Sequence, residues 1–163
     1  MQKEVTRVIA EIQEKIPPNK QERAKIEALA KELTQKVASA CEEHGIKATV
    51  RVEGSVAKDT WLREEPDVDV FMRLPTSIPR KSLGEISLKI AQKATEGSKQ
   101  IERFAEHPYL EAFVDGVRVN IVPCYDVKRG EWLSATDRTP FHTDYVNKRL
   151  NKDRLAGKAR YRG

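Results

Sequence analysis

A chain of 163 residues with 30 Lys and Arg against 25 Asp and Glu, a formal charge of +5, has room for one domain with a real core and carries a surface that attracts polyanions in a salt-sensitive way. No stretch of about 18 apolar residues occurs, and the start Met1-Gln2-Lys3-Glu4-Val5 lacks the apolar core of a signal peptide, so a soluble, cytoplasmic protein with no membrane partner is expected. A composition that is 34% charged and 6% aromatic fits a nucleic-acid-binding surface and equally a heat-adapted one rich in ion pairs.

In chain order, Val5, Val8, Ile9, Ile12 and Ile16 recur at helical spacing until Pro17-Pro18 forbids continuation, which predicts a first amphipathic helix over 3–16. Asn19 can cap a second, from Gln21 to about His44, with Ile26, Leu29, Leu33, Val37 and Cys41 on one face and Gly45 where a C-terminal cap is wanted. Thr49-Val50-Arg51-Val52 alternates within a short strand over 48–53, and Gly54-Ser55 breaks it before a polar, helix-compatible stretch through Trp61 and Leu62. A strand over 68–74 follows, then a helix over 82–95 with Leu83, Ile86, Ile90 and Ala94 on one face. Residues 101–110 read as one weak strand. Asp115-Gly116, the dipeptide most typical of a two-residue hairpin turn, joins strands at 111–114 and 117–122.

From Asp126 onward the chain is polar, with Trp132, Leu133, Phe141, Tyr145, Val146 and Leu150 as its few apolar anchors. A loop and one helix after Thr139-Pro140 are predicted there, and Lys152, Arg154, Lys158, Arg160 and Arg162 make 151–163 a basic tail, a linker or a truncation point. Cys41 and Cys124 lack the spacing of a zinc site or redox pair and read as buried thiols. The order implies an α/β (α+β) domain over 1–150: a mixed, mainly antiparallel sheet with helices on one face, preceded by two N-terminal helices.

Asp67 and Asp69 are two apart on a predicted strand, so both carboxylates leave the same face and repel unless a cation joins them. They are either a site for a divalent metal, Mg²⁺ by their all-oxygen character, or solvent-facing carboxylates flanking the inward Val68 and Val70. The context favours the metal. Ser55 lies twelve residues before Asp67 at a strand-to-helix turn, where free N–H groups and a hydroxyl can receive phosphate oxygens and Gly54 lets backbone approach closely.

Taken together, Gly54-Ser55-Val56-Ala57-Lys58-Asp59-Thr60-Trp61-Leu62 and Pro66-Asp67-Val68-Asp69-Val70-Phe71 resemble the signature of polymerase-β-type nucleotidyltransferases. Ala105-Glu106-His107-Pro108-Tyr109, Val122-Pro123-Cys124-Tyr125 and Asp137-Arg138-Thr139-Pro140-Phe141-His142, in that order, extend the resemblance to the N-terminal catalytic region of archaeal (class I) CCA-adding tRNA nucleotidyltransferases. The resemblance implies a palm domain that adds C, C and A to the 3′ end of a tRNA acceptor arm from CTP and ATP. It implies two Mg²⁺ ions, with Mn²⁺ able to substitute, held by Asp67 and Asp69. It also implies triphosphate contacts at Gly54, Ser55 and Lys58, and a nucleotide site lined by His107, Thr139 and His142. Arg138 is either a phosphate contact or a solvent-exposed or ion-paired arginine.

The resemblance places a third catalytic carboxylate two residues before Val122, where this chain has Asn120. An amide is neutral and cannot take the proton of the primer hydroxyl. Asp115 and Asp126 are the nearby carboxylates in sequence, one in the hairpin turn and the other beyond the strand, and neither is placed to substitute. The expectation is a chain that binds nucleotide better than it turns over. The alternatives are a minimal stand-alone nucleotidyltransferase acting on another substrate, and a non-catalytic nucleotide- or RNA-binding module.

Overall fold

A computed structural model of the chain describes residues 17–58 and 66–142. The helix expected over 3–16, the stretch around Trp61 and Leu62, and the tail over 151–163 lie outside the described residues.

Helix α1 (Lys20–Glu43) begins where Asn19 can cap it. The Glu22 N–H donates to the Asn19 side chain at 2.8 Å and the Asn19 N–H donates to the Glu22 carboxylate at 3.3 Å. Two orphan donors of the first turn are thereby satisfied, and an acid sits at the positive end of the helix dipole. The buried stripe is Ile26, Leu29, Ala30, Leu33, Val37, Ala40 and Cys41.

Strand β1 (Thr49–Glu53), the short helix α2 (Gly54–Lys58), strand β2 (Asp67–Leu74), helix α3 (Arg80–Ala94), strands β3 (Lys99–Arg103), β4 (Tyr109–Val114) and β5 (Val117–Tyr125), and a 3-10 turn (Ala135–Arg138) follow. The single weak strand expected over 101–110 is two strands separated by a loop. Pro108 has no N–H to give a ladder, and the segment is drawn instead onto α3. There Glu106 pairs with Arg80, and Gly84 comes so close that a Cβ on it would stand 2.4 Å from Pro108 Cδ.

The strand order is β1-β2-β5-β4-β3, with β2 and β5 parallel and every other pair antiparallel. The β4–β5 turn has φ of 51° at Asp115 and 78° at Gly116, both central residues left-handed as a two-residue hairpin requires. Alternation sends Val68, Val70, Met72, Leu74, Leu110, Val119 and Ile121 to one face of the sheet, where they pack with the apolar stripes of α1 and α3. All are essentially inaccessible to solvent, and each contributes about 1.5–3 kcal/mol before conformational entropy is subtracted. The same alternation leaves Asp67 and Asp69 on the opposite face.

Candidate active site

The parallel register of β2 and β5 sets Asp67 beside Arg118 and Asp69 beside Asn120. The antiparallel neighbours add Glu53 next to Asp69 and Glu111 next to Asn120. Residues paired across strands share a face, so Glu53, Asp69, Asn120 and Glu111 form one row across four strands. Asp67 and Arg118 start the row beside it.

Carboxylates this close raise one another's energy unless something cationic or hydrogen-bonding lies between them. Each has such a partner. Glu53 is fully buried, with Arg51 Nε 2.7 Å away. Glu111, almost as buried, is held by Arg103 at 2.6 Å and approached by Arg118 at 3.4 Å. Asp67 is half-exposed and faces Arg118 at 3.8 Å. Asp69 accepts a hydrogen bond of 2.9 Å from the Asn120 amide. Sequence distance singles out Asp115 and Asp126 as the acids nearest Asn120, and the structure corrects this. The hairpin folds β4 back so that Glu111 lies directly opposite Asn120, while Asp126 pairs with Arg73 at 3.2 Å.

Gly54 completes the cluster. Its φ of +74° is left-handed, and a Cβ at this position would stand 2.3 Å from Asp69 Oδ2. The carboxylate therefore lies where any other residue's side chain would begin. The side chains of Ser55 and Lys58 lie outside the described residues.

Asp67 and Asp69 offer the oxygen donors that one hard divalent cation takes when a substrate completes its shell. Among the described residues no group of three His, Cys, Asp or Glu is placed to hold a metal unaided. A second ion next to Asn120 is not matched by the donors present. The amide turns its NH₂ toward Asp69, which puts a donor where a metal needs a lone pair.

The remaining predicted residues gather beyond the end of β5. Arg138 lies in the 3-10 turn with its guanidinium 6.0 Å from the Trp132 ring centroid, and among the described residues it has no carboxylate partner. Thr139 is half-buried at the end of that turn, and His142 is exposed. His107 is 4% exposed and sets its ring edge-on to Tyr125, centroids 6.3 Å apart. Burial holds its pKa below the ordinary 6.5 and keeps the imidazole neutral at pH 7. Its Nε2 is buried with no hydrogen-bond partner among the described residues. An open cleft of about 670 Å³ beside it, lined also by Arg80, Lys81 and Leu88, belongs to the start of α3 and not to the carboxylate row.

Sequence reasoning missed the residue that fixes this second cluster. Asp137, 1% exposed, accepts from the N–H groups of Tyr125, Leu133 and Ser134, each at 2.8 Å, and from the Ser134 hydroxyl at 2.7 Å. It ties the turn carrying Arg138 and Thr139 to the last residue of β5. Its place within Asp137-Arg138-Thr139-Pro140-Phe141-His142 was the available signal. Both cysteines are buried free thiols as expected, and burial pushes their pKa values up to about 11 for Cys41 and about 12 for Cys124.

The model of the nucleotidyltransferase domain family matches residues 33–146. The chain is 36% identical over 154 residues to the CCA-adding enzyme of Halobacterium salinarum, covering 94% of this chain and 33% of that protein. For the CCA-adding enzyme of Methanosarcina barkeri the figures are 40% over 140 residues, 84% and 31%, and for that of Thermococcus gammatolerans 38% over 151 residues, 90% and 33%. The chain thus spans about a third of the length of these relatives. Among solved structures it superposes on CdnC of E. coli MS115-1, solved with ATP, with a TM-score of 0.63 at 22% identity, covering 93% of this chain and 52% of that one. A structure of Cid1, described in connection with its RNA terminal uridylyl transferase activity, gives a TM-score of 0.62 at 15% identity, covering 91% and 40%. At those identities the likeness is one of fold. The match over most of the described sheet, with the carboxylate pair and the Gly54 turn inside it, shows that the chain belongs to the nucleotidyltransferase domain family and is similar in sequence to archaeal CCA-adding enzymes.

Proposed function

We propose that this chain is the nucleotide-handling part of a tRNA nucleotidyltransferase that adds C, C and A to tRNA 3′ ends from CTP and ATP, and that Asn120 holds its turnover down. In the transfer, the primer 3′ hydroxyl gives up its proton to solvent water, its oxygen forms a bond to the α-phosphorus, the bond from that phosphorus to the bridging oxygen breaks, and pyrophosphate leaves. Asp67 and Asp69 would hold a divalent ion, Mg²⁺ or Mn²⁺, whose chemistry is to neutralise charge on the triphosphate and the leaving pyrophosphate. Gly54 gives the phosphates access to backbone N–H groups, with Ser55 and Lys58 as further contacts. His107, Arg138, Thr139 and His142 line the nucleoside end in this reading, and Asp137 anchors the turn that carries Arg138 and Thr139.

The hydrogen bond from Asn120 to Asp69 carries the reading. With aspartate at 120, two carboxylates would meet at that distance and require a cation between them. With asparagine the amide fills that role, and nothing at position 120 can accept the primer's proton. The pair on β2 still suits one ion shared with a triphosphate, so nucleotide binding survives where fast transfer does not. To test this, the purified chain is given tRNA lacking CCA, labelled CTP and Mg²⁺ or Mn²⁺. Slow incorporation abolished by Asp67→Ala is expected. CTP binding with no incorporation at any enzyme concentration would instead identify a binding module, the reading that Asn120 also favours.

A further inference from the structure

On the sheet face that carries the carboxylates, we infer a track for a single-stranded RNA 3′ end, formed by Arg118, Phe113 and Lys99 leading away from Asp67. The inference rests on the proposed function, because it says where that reaction's polynucleotide lies. Asp67 pairs in register with Arg118, Arg118 with Phe113, and Phe113 with Lys99, so four consecutive strands contribute one side chain each to a straight row. The face of each is settled by its neighbours. Ala112 and Val119 are fully buried on the helix side, and Gln100 bonds to the Gln92 and Thr95 carbonyls at the end of α3. Phe113, Arg118 and Lys99 therefore point the other way.

The chemistry of the row matches a single strand. Phe113 is half-buried but, among the described residues, stands outside the hydrophobic core, against which its neighbour Val114 packs at the edge. Lys99 Nζ lies 5.6 Å from the Phe113 ring centroid, and Arg118 is 53% exposed. A cation resting on a partly exposed ring is a weaker contact than a nucleobase stacked on it, so a base displaces the ammonium and frees it for a phosphate. Arg103, next to Tyr109 in register, is taken up by Glu111, so Arg118 and Lys99 are the cations that flank the ring. Glu111 is the acid beside the row, and it is 8% exposed and already engaged by Arg103 and Arg118. What a ligand meets beyond Asp67 is an aromatic ring between cations, the pattern that binds single strands without reading their sequence. At ~4.8 Å between strands the row spans about 14 Å, room for roughly three or four stacked nucleotides at ~3.4 Å each. A strand laid along it brings its terminus beside Asp69 and Asn120, where the transfer takes place in the proposed reading.

The test is fluorescence anisotropy of a labelled single-stranded RNA with the full chain, wild type against Phe113→Ala, Phe113→Tyr and Lys99→Gln, with CTP affinity measured separately by calorimetry. Phe113→Ala should weaken RNA about tenfold while CTP affinity changes less than twofold, and Phe113→Tyr, which keeps a ring, should bind as the wild type does. Lys99→Gln should lower the slope of log affinity against log salt by about one. Circular dichroism melts show whether each variant is folded; if Phe113→Ala unfolds, the Lys99→Gln salt slope and the wild type's preference for single-stranded over blunt duplex RNA decide instead. RNA affinity within twofold of wild type in both Phe113→Ala and Lys99→Gln, or tighter binding of the duplex, overturns the track. Failure of the track leaves CMP incorporation and its dependence on Asp67 intact. Failure of the proposed function abolishes incorporation but leaves the Phe113 effect on RNA.

Discussion

Replacing Gly54 by alanine is the sharpest test of how tightly the carboxylate pair is built. Two separate penalties apply. At φ of +74° the backbone is left-handed, which costs a non-glycine residue about 1–2 kcal/mol. The new Cβ would also stand 2.3 Å from Asp69 Oδ2, a contact no real Cβ shows, so the carboxylate must rotate off its rotamer at about 0.5–1.5 kcal/mol. The rotation loosens its 2.9 Å hydrogen bond to Asn120, worth about 1 kcal/mol more. Together these come to about 3 kcal/mol, or a fall in melting temperature of roughly 6–12 °C for a domain of this size. Thermal melts by circular dichroism measure it, and calorimetric titration with CTP and Mn²⁺ should show nucleotide binding weakened at the same time. In an Asp69→Ala background the clash disappears and only the backbone penalty remains, so the same substitution should cost about half as much. A Gly54→Ala protein that melts within 2 °C of wild type, or an equal penalty in both backgrounds, would refute the contact between this turn and Asp69.

Asp137→Ala strips the acceptor from three backbone N–H groups and a hydroxyl, each worth about 1–3 kcal/mol when buried and unpaired. A fall of roughly 10 °C or more in melting temperature is expected, and a fall under 3 °C would contradict the anchoring role. His107 has its folded pKa depressed by burial below the unfolded 6.5, so the unfolded chain takes up the proton first as pH falls. Stability tied to the neutral ring is complete above pH 6.5 and is lost as pH falls through the folded value. Melts of wild type and His107→Gln should therefore converge as pH drops from 7.5 to 5.5, and parallel curves would refute it.

Local chemistry was legible in the sequence. Asn19, the apolar stripe from Ile26 to Cys41 and the Asp115-Gly116 turn each act within a few residues, and the cap, the helix and the hairpin they predict are present. So is the face shared by Asp67 and Asp69, since alternation along one strand is a local rule. What remained hidden depends on pairing between distant segments. Glu53 meets Asp69 and Glu111 meets Asn120 through strand register, which a single sequence does not encode in any short window. Asp137 reads as an ordinary polar residue until the chain returns to place the Tyr125 N–H against it. The loop at 104–108 reads as strand because its sequence breaks the alternation only weakly, while Pro108 and the close approach to Gly84 decide the matter in three dimensions.

The most direct measurement is the single-turnover rate of CMP incorporation into tRNA lacking CCA, compared between wild type and Asn120→Asp, with the Kd for CTP determined for both. Restoring a carboxylate that can take the primer proton should raise the rate by about 10²–10⁴-fold while the Kd moves by no more than a few-fold. Equal rates for the two proteins would contradict the claim that Asn120 separates nucleotide binding from turnover in this chain.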